Sequence, residues 1–208
     1  MARPTWAGLK AEAILELRNR SDIAARTEAW LREAYLEVAY GYRFYELEKS
    51  KNFILSVGAS EITFATIGAT DIKHTLSLKD TTNSRKLEST SFRFLDRRSI
   101  SNGTPTHYCR FGAAYLFDAK VVSTGIAYTL RYRKQITEPN FSDSSSPETP
   151  HEWDEVIRLF ALSRGFNALF EPEQATSKRS IALDLVSRLP TDEFVEAEDA
   201  NFGIEVRQ

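Results

Sequence analysis

The chain has 208 residues, of which 42% are apolar and 27% charged, and a net charge of -2. This is the balance of a globular protein with a substantial core, and it argues against a general nucleic-acid binder, which carries a strong basic excess. One cysteine, Cys109, rules out an intrachain disulfide; with no signal-peptide core and no run near the roughly 20 apolar residues of a membrane span, the expectation is a soluble protein folded in a cytoplasm.

Residues 5–20 predict a first helix, with Thr5 as its cap and Trp6, Leu9, Ala13 and Leu17 at spacings of three and four. Ser21-Asp22 interrupts it and offers the cap of a second helix. That helix carries a stripe of Ile23, Thr27, Trp30, Leu31, Ala34, Tyr35, Val38 and Tyr42, with Arg26, Arg32, Glu33 and Glu37 opposite. After Lys51 the composition turns to β-branched residues, Thr, Ser and Gly. Phe53-Ile54-Leu55 and Ile62-Thr63-Phe64 predict strands around a turn at Gly58-Ala59-Ser60, and Ile72, His74, Leu76 and Leu78 alternate as a further strand. Asp80 to Ser84 reads as loop, and Leu87 to Arg98 as either a short helix or a strand end.

Ser101 to Pro105 is a turn by its chemistry, and the stretch from Gly103 to Lys134 reads as that turn followed by three short strands. The last strand is the clearest. Tyr128, Leu130 and Tyr132 fall on one face and Thr129, Arg131 and Arg133 on the other, the period of two that a half-buried strand requires. Pro139 to Pro150, rich in Ser and Pro, reads as a surface loop or linker. A helix then resumes with Trp153, Val156, Ile157, Phe160, Ala161 and Arg164, and its acidic, solvated first turn holds Glu152, Asp154 and Glu155. Gly165 marks its end or a bend, Pro172 breaks the chain, and Ser177 to Leu189 forms one more helix. The acidic segment after Pro190 ends in the alternation Phe202-Gly203-Ile204-Glu205-Val206, which suits a strand added to another sheet edge.

The expected fold is α+β. The N-terminal helices (1–50) pack with the C-terminal helices (151–189) as one helical domain, an antiparallel β domain (51–138) is inserted between them, a Ser/Pro-rich loop covers 139–150, and an acidic tail covers 190–208.

The sequence holds no phosphate-binding glycine loop and no nucleophile elbow, so no catalytic residue is assigned and the chain is not read as an enzyme. His107-x-Cys109 shares a strand face, but two ligands do not make a structural metal site, and no metal or cofactor is expected. The basic set Arg93, Arg97, Arg98, Arg110, Arg131 and Arg133 could track phosphates. It is read instead as exposed strand faces and intersubunit ion pairs, because an acidic tail is available to pair with it. The candidate interface residues are therefore Arg97, Arg98, Arg131 and Arg133, together with Phe194, Phe202, Ile204 and Val206 of the tail.

The order of these features resembles the head-to-tail adaptor (connector) proteins of tailed bacteriophages, including the tail tubular protein A type of short-tailed phages. The residues that carry the resemblance are Trp30-Leu31-Arg32-Glu33-Ala34-Tyr35 with Tyr42-Arg43-Phe44, the Gly-x-Pro-x-x-Tyr turn at Gly103 to Tyr108, the strand Tyr128 to Lys134, and the helix at Glu152-Trp153-Asp154-Glu155-Val156-Ile157. It covers residues 20 to 170. The sequence departs from the family at Phe117-Asp118-Ala119-Lys120, where a proline-rich strand end is usual, and in its long acidic tail. The resemblance implies a non-enzymatic virion protein of the neck, assembled in the host cytoplasm. It would form a homo-oligomeric ring, usually twelvefold, beneath the portal protein, and present a surface to the next tail, nozzle or stopper protein. DNA would pass through the channel without sequence-specific binding, and no membrane is involved. The alternative from another class is a β-rich module, flanked by helices, that binds carbohydrate or protein.

Overall fold

The computed structural model describes residues 3–18, 23–97, 99–122, 124–142 and 144–189. These form an α+β protein in which helices flank a β region. They divide into two compact units, one within residues 1–46 and 137–208 and the other from Leu47 to Ile136.

The helical unit contains α1 (Trp6–Glu16), α2 (Ala24–Gly41), α5 (Asp154–Ala168) and α6 (Pro172–Arg188). Thr5 caps α1 by accepting from the Gly8 N–H at 3.1 Å, which satisfies one of the orphan donors of the first turn. The Ser21-Asp22 cap expected for α2 lies outside the described residues. Most of the stripe on α2 is buried as its spacing predicts, with Leu31, Ala34, Tyr35 and Val38 fully enclosed, while Trp30 and Tyr42 are half-buried.

Helix α5 packs against α1, α2 and α6 and forms the centre of this unit. Val156, Ile157, Leu159, Phe160, Ala161, Leu162 and Phe166 are all buried, so that apolar contact nearly encircles the helix. Each large side chain enclosed in this way contributes about 1.5–3 kcal/mol.

Three local expectations in this unit are corrected. Gly165 neither ends nor bends α5 but lies inside it, where a Cβ would meet Leu17 Cδ1 at 2.8 Å and Trp30 at 3.1 Å. Its missing side chain is what lets α5 approach its neighbours. Pro172 does not break the chain; it opens α6 at the first helical turn, where its absent N–H costs nothing. The predicted acidic, solvated first turn is divided: Glu152 lies in a 3-10 turn before α5 and is exposed, as is Glu155, but Asp154 is buried, gripped by Arg3 at 2.8 and 3.0 Å and lying 3.0 Å from His151 Nδ1.

The Ser/Pro-rich stretch has no regular structure but is firmly anchored. Phe141 packs edge-on against Trp6, the Ser145 carbonyl accepts from the Trp6 N–H at 2.8 Å, and the Glu148 N–H donates to the Tyr35 hydroxyl at 3.2 Å.

The β unit is built on two four-stranded sheets that share one core, with a small two-stranded sheet beside them. One runs β1 (Glu48–Leu55), β10 (Ile126–Lys134), β3 (Ile72–Asp80) and β4 (Arg85–Lys86), in that spatial order and antiparallel throughout. The other runs β2 (Glu61–Thr63), β8 (Ala114–Phe117), β7 (His107–Phe111) and β5 (Glu88–Ser89). Its β5–β7 pairing is parallel, as is the two-residue pairing of β6 (Ser101–Asn102) with β9 (Ala119–Lys120). The stretch from Gly103 to Lys134 thus holds β7, β8, β9 and β10, one strand more than its sequence predicts.

Strand β10 is central to its sheet and keeps the predicted alternation. Tyr128, Leu130 and Tyr132 point into the core, where Tyr128 meets Phe53 and Phe117 with ring centroids 5.4 and 5.6 Å apart. The Thr75 and Tyr115 hydroxyls, 2.6 Å apart, join the two sheets across that core. Two short helices complete the unit. Phe64 leaves the predicted strand to begin α3 (Phe64–Ile67), capped by Thr63. The ambiguous stretch from Leu87 resolves into both alternatives, strand β5 and then helix α4 (Phe92–Asp96), capped by Ser91.

Candidate interaction surfaces

The strand that follows the Gly-Thr-Pro turn is held by Asp118, a residue read from the sequence only as part of a departure from the family pattern. Gly112 and Ala113 form a two-residue hairpin turn, with Gly112 at φ 57°, so that Phe111 faces Ala114 and Tyr108 faces Phe117. The same register sets His107 opposite Asp118. The Asp118 carboxylate accepts from the backbone N–H groups of Thr106 and His107 at 2.8 and 3.0 Å and from the Thr106 hydroxyl at 2.6 Å, and it lies 3.1 Å from His107 Nδ1. Burial alone would raise the Asp118 pKa. The hydrogen bonds from Thr106 and His107 outweigh it and hold the carboxyl below its ordinary value. The signal was available: a turn at Gly112-Ala113 counts out to His107 and Asp118 as partners.

The same lock accounts for the metal-like spacing at His107-x-Cys109. The His107 ring is flanked by Asp118 and, at 3.2 Å, by Glu88, while Cys109 is buried with its thiol pKa raised by desolvation. Among the described residues no group of three or more His, Cys, Asp or Glu is placed to hold a metal.

Of the candidate interface residues, the structure places Arg131 and Arg133 on the solvent face of β10. Arg131 is exposed and lies 3.4 Å from Glu48 of β1; Arg133 is half-buried and stands opposite Glu48 and His74 in the register. Arg97 is apart from them, exposed at the C-terminal end of α4 beside Ser91, Arg93 and Phe94. Arg98, Phe194, Phe202, Ile204 and Val206 lie outside the described residues.

Exposed aromatic groups mark each unit separately. On the β unit, Phe92 and Phe111 stack with centroids 4.5 Å apart while both remain exposed. Beside Phe92, the exposed Ile100 lines a groove with Leu95, Leu116 and Asp118. On the helical unit, Phe170 is 92% exposed in the turn between α5 and α6. It occupies the left-handed conformation, φ 59°, that a helix end of this kind normally reserves for glycine. The Glu171 N–H returns to the Phe166 carbonyl at 2.9 Å and the Phe170 N–H to the Asn167 carbonyl at 3.1 Å, so the hydrogen bonding of the motif is intact around the wrong residue.

The charge is divided as well. Leu47 to Ile136 holds 14 Lys and Arg against 7 Asp and Glu, a net of +7; the remainder holds 13 against 22, a net of -9. A whole-chain charge of -2 conceals this division, and the opposition of signs is the main functional feature that composition alone missed.

A two-unit α+β chain with exposed aromatic anchors on both units has the features of an assembly component. The chain belongs to the SU10 adaptor protein family, whose model matches residues 4–195, and is a head-to-tail adaptor of tailed bacteriophages. No curated protein matches it. No helix among the described residues is long and apolar enough to cross a membrane.

Proposed function

We propose that this chain forms a closed ring at the virion neck, between the portal protein and the next tail component, and that DNA passes through the ring without sequence-specific contacts. The role is structural rather than catalytic. Twelvefold symmetry and kinship with the tail tubular protein A type belong to the same reading, as does a division of labour in which the helical unit meets the portal and the β unit meets the tail.

One observation carries the reading beyond family membership. A head-to-tail ring needs two different and complementary surfaces on every copy. Here one chain holds a cationic β unit and an anionic remainder, with the Phe92–Phe111 pair on the first and Phe170 on the second. Opposite charges of this size favour alternating contact between copies and oppose like-to-like pairing. Sedimentation velocity of the full chain across salt tests it. Self-association should be strongest at low ionic strength and fade toward about 1 M salt, where the screening length falls from about 10 to 3 Å. Association that strengthens with salt would show an apolar interface in which the charge division plays no part.

A further inference from the structure

Strand β1 ends its sheet. It pairs with β10 along all eight residues on one side and, among the described residues, with no strand on the other. An open edge of this length presents a row of backbone donors and acceptors, which proteins usually blunt with charge. The exposed Lys51 does so in the first half, while Lys49 is paired with Asp71 at 2.7 Å. The second half is left apolar, with Ile54 64% exposed and Val57 54% exposed just beyond the strand. Ile54 and Leu55 also line a shallow groove with Ser56, Ala59, Ile62 and Thr66, in which Glu61 is the one charged residue.

The chain itself contains a segment that matches this edge. Residues 190–208 carry six acidic residues against one arginine, the sign opposite to the +7 β unit. Within them Phe202, Ile204 and Val206 alternate with Gly203 and Glu205, so a strand there would present three apolar side chains on one face. The twelve residues from Pro190 to Asn201 can reach at most about 40 Å from Leu189, far enough to leave the copy they start from.

We propose that residues 202–206 of one copy add as a strand to the open edge of β1 in a neighbouring copy, laying Phe202, Ile204 and Val206 over Ile54, while the acidic residues 192–199 lie against the basic β unit. Main-chain hydrogen bonds supply the affinity of such an addition, and the alternating side chains supply its register. The neighbour is taken from the ring reading, on which this inference rests.

Cysteine pairing in the full chain tests it. The single native cysteine is buried, so Ile54→Cys and Ile204→Cys can be made in separate chains, mixed and mildly oxidised. A disulfide-linked pair should form several-fold more than in either variant alone, and should weaken at high salt. Glu205→Cys, on the other face of the strand, should link several-fold less than Ile204→Cys. Light scattering on the same mixture separates the two readings. Copies that associate without the Ile54–Ile204 link overturn the strand addition and leave the ring standing; a chain that stays monomeric even when the portal protein is added overturns both. Linkage confined to the double variant within one chain would overturn docking between copies. Loss of the link together with steeply salt-dependent binding of a short DNA duplex would make phosphate the occupant of the basic face instead.

Discussion

Phe170 is held where an aromatic residue is costly twice over. Its left-handed backbone costs about 1–2 kcal/mol relative to glycine, and its ring gains nothing from burial because it is 92% exposed. A residue kept under both penalties in the isolated chain is expected to be used in the assembly. Phe170→Gly should therefore stabilise the monomer by about 1 kcal/mol, read from the urea midpoint, while weakening assembly. A destabilised monomer would show instead that the ring packs within the fold. Asp118 gives the opposite case, a residue whose worth is internal. Asp118→Asn leaves half-buried donors of Thr106 and His107 poorly matched and should cost about 1 kcal/mol in urea unfolding. Because the folded pKa of Asp118 is depressed, its contribution is fully present above the ordinary value of 3.8 and is lost as pH falls through the lower folded value. The wild-type chain should lose stability in that acid window, and the Asn variant should lose less.

Among the elements, α5 and β10 organise their units, and they differed in how much the sequence revealed. The β10 alternation was legible because one face is buried and the other wet, so residue type reports orientation directly. Helix α5 was only partly legible, since burial on nearly all sides erases the polar face that fixes a helical period. Gly165 was misread for a related reason. A glycine that ends a helix and one that permits close packing look the same in sequence, and only Leu17 and Trp30 tell them apart. Gly165→Val should cost about 1–3 kcal/mol by overpacking against those side chains, despite the better helix propensity of valine. An unchanged urea midpoint would mean that α1 and α2 yield freely there. Pro172 and Asp154 were misread because their partners, a helix start and Arg3, are set by tertiary position. The Asp118 lock was within reach, since hairpin register is arithmetic once the turn is placed.

For the whole molecule, total charge was the least informative number and its distribution the most informative. A composition that argued against polyanion binding also hid a β unit of +7. The adaptor role follows from family membership, and the ring account makes charge opposition and exposed aromatic anchors its working parts. The most direct test is to mix the full chain with the portal protein of the same phage and image the particles by negative stain while measuring their mass by light scattering. The account predicts a ring of adaptor density capping one end of every portal, saturating at a fixed number of chains. A chain that remains monomeric and leaves portals bare over a wide range of concentration and salt would contradict it.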